Sequence, residues 1–259
     1  MDGPAAVHVT ALGTGTAIHH PHHGPACFCV QVGSVQLLMD VGPGALQRAV
    51  THGIDPLETD IVIVSHRHLD HCADLASLLF ARTVSQCRRP LHLIGGRGLT
   101  HHLERLAELW GPAVATPLCG PLRVTELPLD QGADLDLDEQ MTLRTAPAAH
   151  SRGALHLRLD AHGHTVVFSG DTGPSAALKQ LSQRCDLLIV ECGSPRDTPI
   201  PGHLRDLDIV DLVEAARPAQ VWMTHFYPGS HPARAVTTVA ATGCPTLRAH
   251  DGLRWQADA

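Results

Sequence analysis

Short apolar runs closed by glycine, proline or charged residues recur from one end of the chain to the other. The densest is Ile61-Val62-Ile63-Val64, a β-branched stretch without polar alternation, as expected of a strand buried on both faces. Residues 7–12 read as a first strand closed by Gly13-Thr14-Gly15-Thr16, and 28–32 with 35–39 as a hairpin turning at Gly33-Ser34. Further strands are predicted over 91–94, 135–137, 141–145, 155–159, 165–168, 186–190 and 221–224, with a last strand pairing near Leu247 and Leu253. Helical spacing replaces alternation over 45–52, 74–84, 99–110, 176–183, 207–216 and 233–242. In the second of these, Leu75, Leu78 and Leu79 share a face behind Asp74, placed as the N-cap. In the third, Leu103, Leu106, Leu109 and Trp110 do so, stopped by Gly111-Pro112. Residues 114–127 are punctuated by proline and give no clear period, and the acidic stretch 130–139 reads as a solvated loop and strand face.

Strands and helices alternating over 259 residues, with no linker and no short repeat, predict one α/β domain over residues 1–259. Aromatic residues make up only 3% of the chain, so Ala, Leu and Val must fill the core. A formal net charge of −7 argues against a broad electrostatic grip on nucleic acid. The cysteines at 27, 29, 72, 87, 119, 185, 192 and 244 include no C-x-x-C pair and read as small buried hydrophobes in a reducing cytosol. Neither a secretory apolar segment nor a run of membrane-spanning length is found, so a cytoplasmic location without a membrane partner is expected.

Metal-ligand residues gather where the predicted strands end. Ser65-His66-Arg67-His68-Leu69-Asp70-His71 follows the densest strand directly and spaces four good ligands as H-x-H-x-D-H. Asp40, His150, Asp171 and His225 also come after apolar strands, so strands presenting their C-terminal ends to one edge would bring all of them together. Imidazoles with carboxylates favour Zn, Mn or Fe over Ca or Mg, and the absence of cysteine from the set argues against a closed thiolate zinc site. A catalytic zinc usually takes three protein ligands and keeps a position open, so four donors in one loop point to two ions. His66 and His68 with one further His would hold the first, Asp70 and His71 with another His the second, and an Asp could reach both. His19, His20, His22 and His23 around Pro21 read first as a surface loop, leaving the end of the first strand in a position to overhang the same site.

His66-Arg67-His68-Leu69-Asp70-His71 resembles the H-x-H-x-D-H signature of the metallo-β-lactamase superfamily, with Asp40, His150, Gly170-Asp171-Thr172 and Thr224-His225-Phe226 following the same order. That resemblance implies a four-layer αβ/βα sandwich and a site for two divalent ions. His66, His68 and His150 would bind one, Asp70, His71 and His225 the other, and Asp171 would join them. Asp40 would order the loop through hydrogen bonds. Leu12-Gly13-Thr14-Gly15-Thr16, Ser169-Gly170-Asp171-Thr172 and Gly202-His203 make the chain most similar to the ribonuclease Z-like branch. There the His at the position of His203 assists the leaving group, although Gly202-His203-Leu204-Arg205-Asp206 departs from the usual Ser/Thr-containing context. Asp70 and His203 are therefore the candidate catalytic residues. Members that process tRNA carry a long arm between the positions of His150 and Asp171, whereas residues 151–170 here have room for one hairpin, which argues against tRNA as a partner. The expected activity is hydrolysis of a small phosphate ester by a hydroxide between two ions, most simply zinc. Lactone, thioester or sulfate-ester hydrolysis is the alternative, and a non-catalytic metal-binding protein the third reading. The resemblance also allows a homodimer. Glu191 either orients an imidazole or merely ends its strand.

Overall fold

A computed structural model describes residues 6–114 and 120–257. Its strands are β1 (Val7–Gly13), β2 (Cys27–Val32), β3 (Val35–Met39), β4 (Ile61–Val64), β5 (Leu91–Gly96), β6 (Leu122–Leu127) and β7 (Ala133–Asp138). They continue as β8 (Met141–Pro147), β9 (Leu155–Ala161), β10 (His164–Phe168), β11 (Leu187–Glu191), β12 (Gln220–Thr224), β13 (Thr246–Arg248) and β14 (Arg254–Gln256). The helices are α1 (Ala45–Thr51), α2 (Leu69–Cys72), α3 (Asp74–Val84), α4 (Leu99–Trp110), α5 (Ala176–Leu181), α6 (Asp206–Ala216) and α7 (Pro232–Ala240). Two seven-stranded sheets result, in the orders β14-β1-β2-β3-β4-β5-β6 and β13-β12-β11-β10-β9-β8-β7.

The continuous apolar runs follow from burial on both faces of each sheet. Along β3 and β4, Leu37, Met39, Ile61 and Ile63 enter the core between the sheets, while Leu38, Val62 and Val64 turn outward. There they meet Leu75, Leu78 and Leu79 of α3 and Leu99 and Leu103 of α4. The second sheet repeats the division. Val166, Phe168, Leu187, Ile189 and Trp222 point inward, and Val167, Leu188, Val190 and Val221 pack on Ile209, Leu212 and Val213 of α6 and Val239 of α7. Phe28 and Phe168 meet in the central layer with ring centroids 5.3 Å apart. Helix, sheet, sheet, helix is therefore the layer order, the αβ/βα sandwich expected from the resemblance. On β7, Ala133, Leu135 and Leu137 pack against the core and the intervening aspartates face solvent.

Several local expectations are corrected. Asp74 does not cap α3, because Ala73 is already helical and carries the chain straight on from α2; the Asp74 carboxylate instead accepts from the Leu46 amide at 3.2 Å. Leu109 and Trp110 are 74% and 68% exposed, since only Leu99, Leu103 and Leu106 of α4 reach the sheet. The last turn lies beyond it, with Trp110 beside Phe80 and Val114. The C-terminal strands do not pair with each other, because β13 extends the second sheet beside β12 and β14 the first beside β1. The unreadable segment resolves into β6, parallel to β5, while residues 115–119 with Cys119 lie outside the described residues. The other seven cysteines form no disulfide. Among the described residues no helix is long and apolar enough to cross a membrane.

Strand direction is what places the site. β3 and β4 run parallel in the first sheet and β10, β11 and β12 in the second. β8, two antiparallel steps from β10, runs the same way as β10. Asp40, Ser65-His66, His150, Asp171, Glu191 and His225 leave the C-terminal ends of these strands.

Candidate metal centre

Among the described residues two groups of four donors form at that edge, and Asp171, Glu191 and His203 make a smaller third. His66, His68, His150 and Asp171 can each offer one ligand atom within 4.8 Å of the others, and so can Asp70, His71, Asp171 and His225. Asp171 belongs to both. Its Oδ2 lies 3.8 Å from His66 Nε2, 3.9 Å from His150 Nε2 and 3.3 Å from His225 Nε2, with His71 Nε2 3.3 Å from Oδ1. All seven residues expected to act as ligands are thus brought together. The second half of the sequence motif is the single helical turn α2, not a loop, which turns Leu69 outward at 75% exposure and Asp70 and His71 inward.

Hydrogen bonds fix which nitrogen of each ring faces the centre. Asp40, fully buried, accepts from the Ser65 amide at 2.7 Å, from Ser65 Oγ at 2.7 Å and from His71 Nδ1 at 2.6 Å. Because Ser65 Oγ gives its hydrogen to Asp40, it accepts from His66 Nδ1 at 3.1 Å. His150 Nδ1 donates to the Gly202 carbonyl at 3.0 Å. His66 and His150 therefore present an Nε2 lone pair, and His71 turns its Nε2 to the same centre, as carboxylate or carbonyl acceptors behind metal-binding histidines do.

These lone pairs lack enough hydrogens to satisfy them. His68 Nδ1 lies 3.0 Å from His66 Nε2 and 3.2 Å from His150 Nε2, and one N–H there could serve only one of the two. Among the described residues His71 Nε2 and His225 Nε2 are buried with no well-aligned hydrogen-bond partner, each facing an Asp171 oxygen at 3.3 Å. Unpaired buried polar atoms are costly, and a cation in each group would satisfy them. The donor chemistry and these orphaned nitrogens fit divalent ions. Burial, reinforced by the charge on His71, pushes His66 down to about 2, so its ring is neutral and free to coordinate. Burial opposes a charge on His71, but Asp171 and Asp40 outweigh it and hold its pKa well above the ordinary histidine value. A proton there answers the same carboxylate field that would attract a metal ion.

Beside the clusters, Glu191 Oε1 accepts from His203 Nδ1 at 2.9 Å and from the Thr172 amide at 2.8 Å, while Oε2 accepts from the Gly193 amide at 2.7 Å. Of the two roles open to Glu191, orienting an imidazole is the one it takes. Burial works against the charge on His203, but the Glu191 carboxylate prevails and raises its pKa. The His203 ring lies 4.9 Å from that of His150 and 5.8 Å from that of His225. Tyr227 was not anticipated; its ring is 5.3 Å from both His203 and His225, and its only signal in the sequence is its place two residues after the candidate ligand His225. His19, His20 and His22 are exposed and His23 half-buried, and they form no group of three metal donors among the described residues.

A beta-lactamase superfamily domain is matched over residues 36–226. This chain belongs to the metallo-β-lactamase superfamily, in its ribonuclease Z-like branch. Curated relatives include ribonuclease Z of Mycobacterium bovis BCG, 29% identical over 86% of this chain and 87% of that one. Ribonuclease Z of Mycobacterium avium is 32% identical over 71% and 69%. Among solved structures, the metallo-β-lactamase fold protein YhfI from Bacillus subtilis superposes with a TM-score of 0.84 at 22% identity, over 97% of this chain and all 100% of that one. A diphosphatase of the PhnP family does so with a TM-score of 0.72 at 18% identity, over 97% and 98%. Members of the superfamily are hydrolases, and the fold implies divalent metal binding at the edge where these donors converge.

Proposed function

We propose that this protein is a dinuclear metal-dependent phosphodiesterase acting on a small phosphate ester, with zinc as the simplest metal and manganese or iron as alternatives. The observation that carries the reading is the Glu191–His203 pair, a proton donor held at 2.9 Å beside two donor groups that share one carboxylate. His66, His68, His150 and Asp171 would hold one ion, and Asp70, His71, Asp171 and His225 the other. Divalent ions there would supply a water nucleophile usable near neutral pH and offset charge developing on the ester.

The chain's own residues do the rest. Asp40 and the Gly202 carbonyl keep the imidazoles turned inward, and Asp171 fixes the spacing of the two groups. Glu191 holds the proton of His203 Nδ1 and favours the charged ring, so Nε2 can donate to the departing oxygen. A leaving alkoxide needs that proton far more than a thiolate does, which favours an oxygen ester over a thioester. The ribonuclease Z relatives and the PhnP-family diphosphatase act on phosphorus–oxygen bonds, in keeping with the same chemistry. Residues 151–170 form the β9–β10 hairpin and its approach, with no arm to grip tRNA, so a small ester suits the chain better than a tRNA precursor. A panel of phosphodiester, lactone, thioester, sulfate-ester and precursor-tRNA substrates tests this, with Zn or Mn supplied. Turnover of phosphodiesters is expected; cleavage of another ester class alone rejects the reading.

A further inference from the structure

A pocket of about 260 Å³ opens beside the donor groups, bordered by Thr14, Ile18, His20, Phe226, Tyr227 and Arg248. Two pieces of chain join it to the centre. Tyr227 lines it while touching the His203 and His225 rings, and the Thr14 carbonyl accepts from the His225 amide at 2.9 Å. Whole small-molecule sites usually enclose about 300–1,000 Å³, so this one has the size of a subsite for part of a ligand.

Arg248 is the charged group of the pocket. Its guanidinium carbon lies 5.8 Å over the Phe226 ring, and no carboxylate pairs with it among the described residues. One of its nitrogens instead lies 3.0 Å from His23 Nε2. A guanidinium can only donate, so His23 Nε2 is the acceptor and the ring proton sits on Nδ1. That proton goes to Thr14 Oγ1 at 2.8 Å, and the Thr14 hydroxyl donates to Asp251 Oδ1 at 2.8 Å. Asp251 Oδ2 in turn accepts from the Gly24 amide at 2.8 Å. His23 and Arg248 are thereby joined in one relay that ends on the Asp251 carboxylate. Its other N–H donors carry no hydrogen bond among the described residues. A planar cation of this kind, stacked on an aromatic ring and left without a counter-ion, matches the oxygens of a phosphate.

We propose that this pocket is a second substrate subsite in which Arg248 holds a terminal phosphate, so that the enzyme prefers phosphodiesters carrying a phosphomonoester. The inference rests on the phosphodiesterase reading and specifies its substrate class. It also gives the His-rich loop a role in shaping the subsite.

The test compares three thymidylyl dinucleotides, one without a terminal phosphate, one with it at the 5′ end and one with it at the 3′ end. Each is assayed with metal-loaded wild type and Arg248→Gln. Wild type should favour one phosphorylated form in kcat/KM by about tenfold or more, and the variant should bring that ratio close to one. Equal kcat/KM for all three with wild type, or a preference that survives in Arg248→Gln, overturns the proposal. If no dinucleotide is cleaved, turnover of bis(p-nitrophenyl) phosphate decides the phosphodiesterase reading separately. Calorimetry with thymidine 3′,5′-bisphosphate then decides the subsite: about tenfold weaker binding to Arg248→Gln supports it, and an unchanged Kd rejects it.

Discussion

One hydroxyl, that of Ser65, links the two donor groups. It donates to Asp40 and accepts from His66, while Asp40 also takes the proton of His71. Asp40 holds this position with φ of 59°, a left-handed conformation that costs an ordinary residue about 1–3 kcal/mol, and His225 does the same with φ of 58°. Such strain at two strand ends of one site is consistent with side chains aimed for a purpose. Asp40→Asn loses one acceptor and should weaken divalent metal binding about 10–100-fold in a chelator competition; unchanged affinity would leave Asp40 a turn residue only. His203→Ala should lower kcat about 100- to 10,000-fold while metal content stays constant, and equal metal loss would make His203 a ligand instead. The ligand types and their spacing could be read from the chain, because H-x-H-x-D-H is local. The Glu191–His203 pair could not, since a proline-rich loop intervenes and no spacing rule joins its ends.

At the scale of elements, burial on both faces explains why β4, β11 and β12 were plain in the sequence. β13 and β14, three residues each and largely exposed, carry almost no hydrophobic signal, and only their hydrogen-bond partners reveal that they lie in different sheets. β9 also bears a histidine that the site does not use. His156 is fully buried, with Nδ1 donating to the Ser169 carbonyl at 2.7 Å and Nε2 3.0 Å from Ser175 Oγ. Burial holds its pKa to about 4 against an ordinary 6.5, with the bond to Ser169 acting the other way. Between those two values the unfolded chain binds a proton that the folded chain does not, so stability falls as pH drops through that window. The gap amounts to about 3 kcal/mol. Denaturant titrations from pH 6.5 to pH 4 should show wild type losing about that much more than His156→Gln, and parallel losses would contradict it.

The whole molecule converts strand order into chemistry. Two sheets packed face to face present the C-terminal ends of their parallel strands to one edge, and seven donors from residues 66 to 225 converge there. The layer order was expected from the family signature rather than from periodicity, which predicts strands and helices but not which strands become neighbours. Two donor groups that share Asp171 are expected to work as a pair. Hydrolysis of bis(p-nitrophenyl) phosphate by chelator-stripped protein, followed as zinc or manganese is returned, measures this directly. Activity should rise with added metal and level off at about two equivalents per chain. A plateau at one equivalent, or no hydrolysis at any loading, would contradict a dinuclear phosphodiesterase.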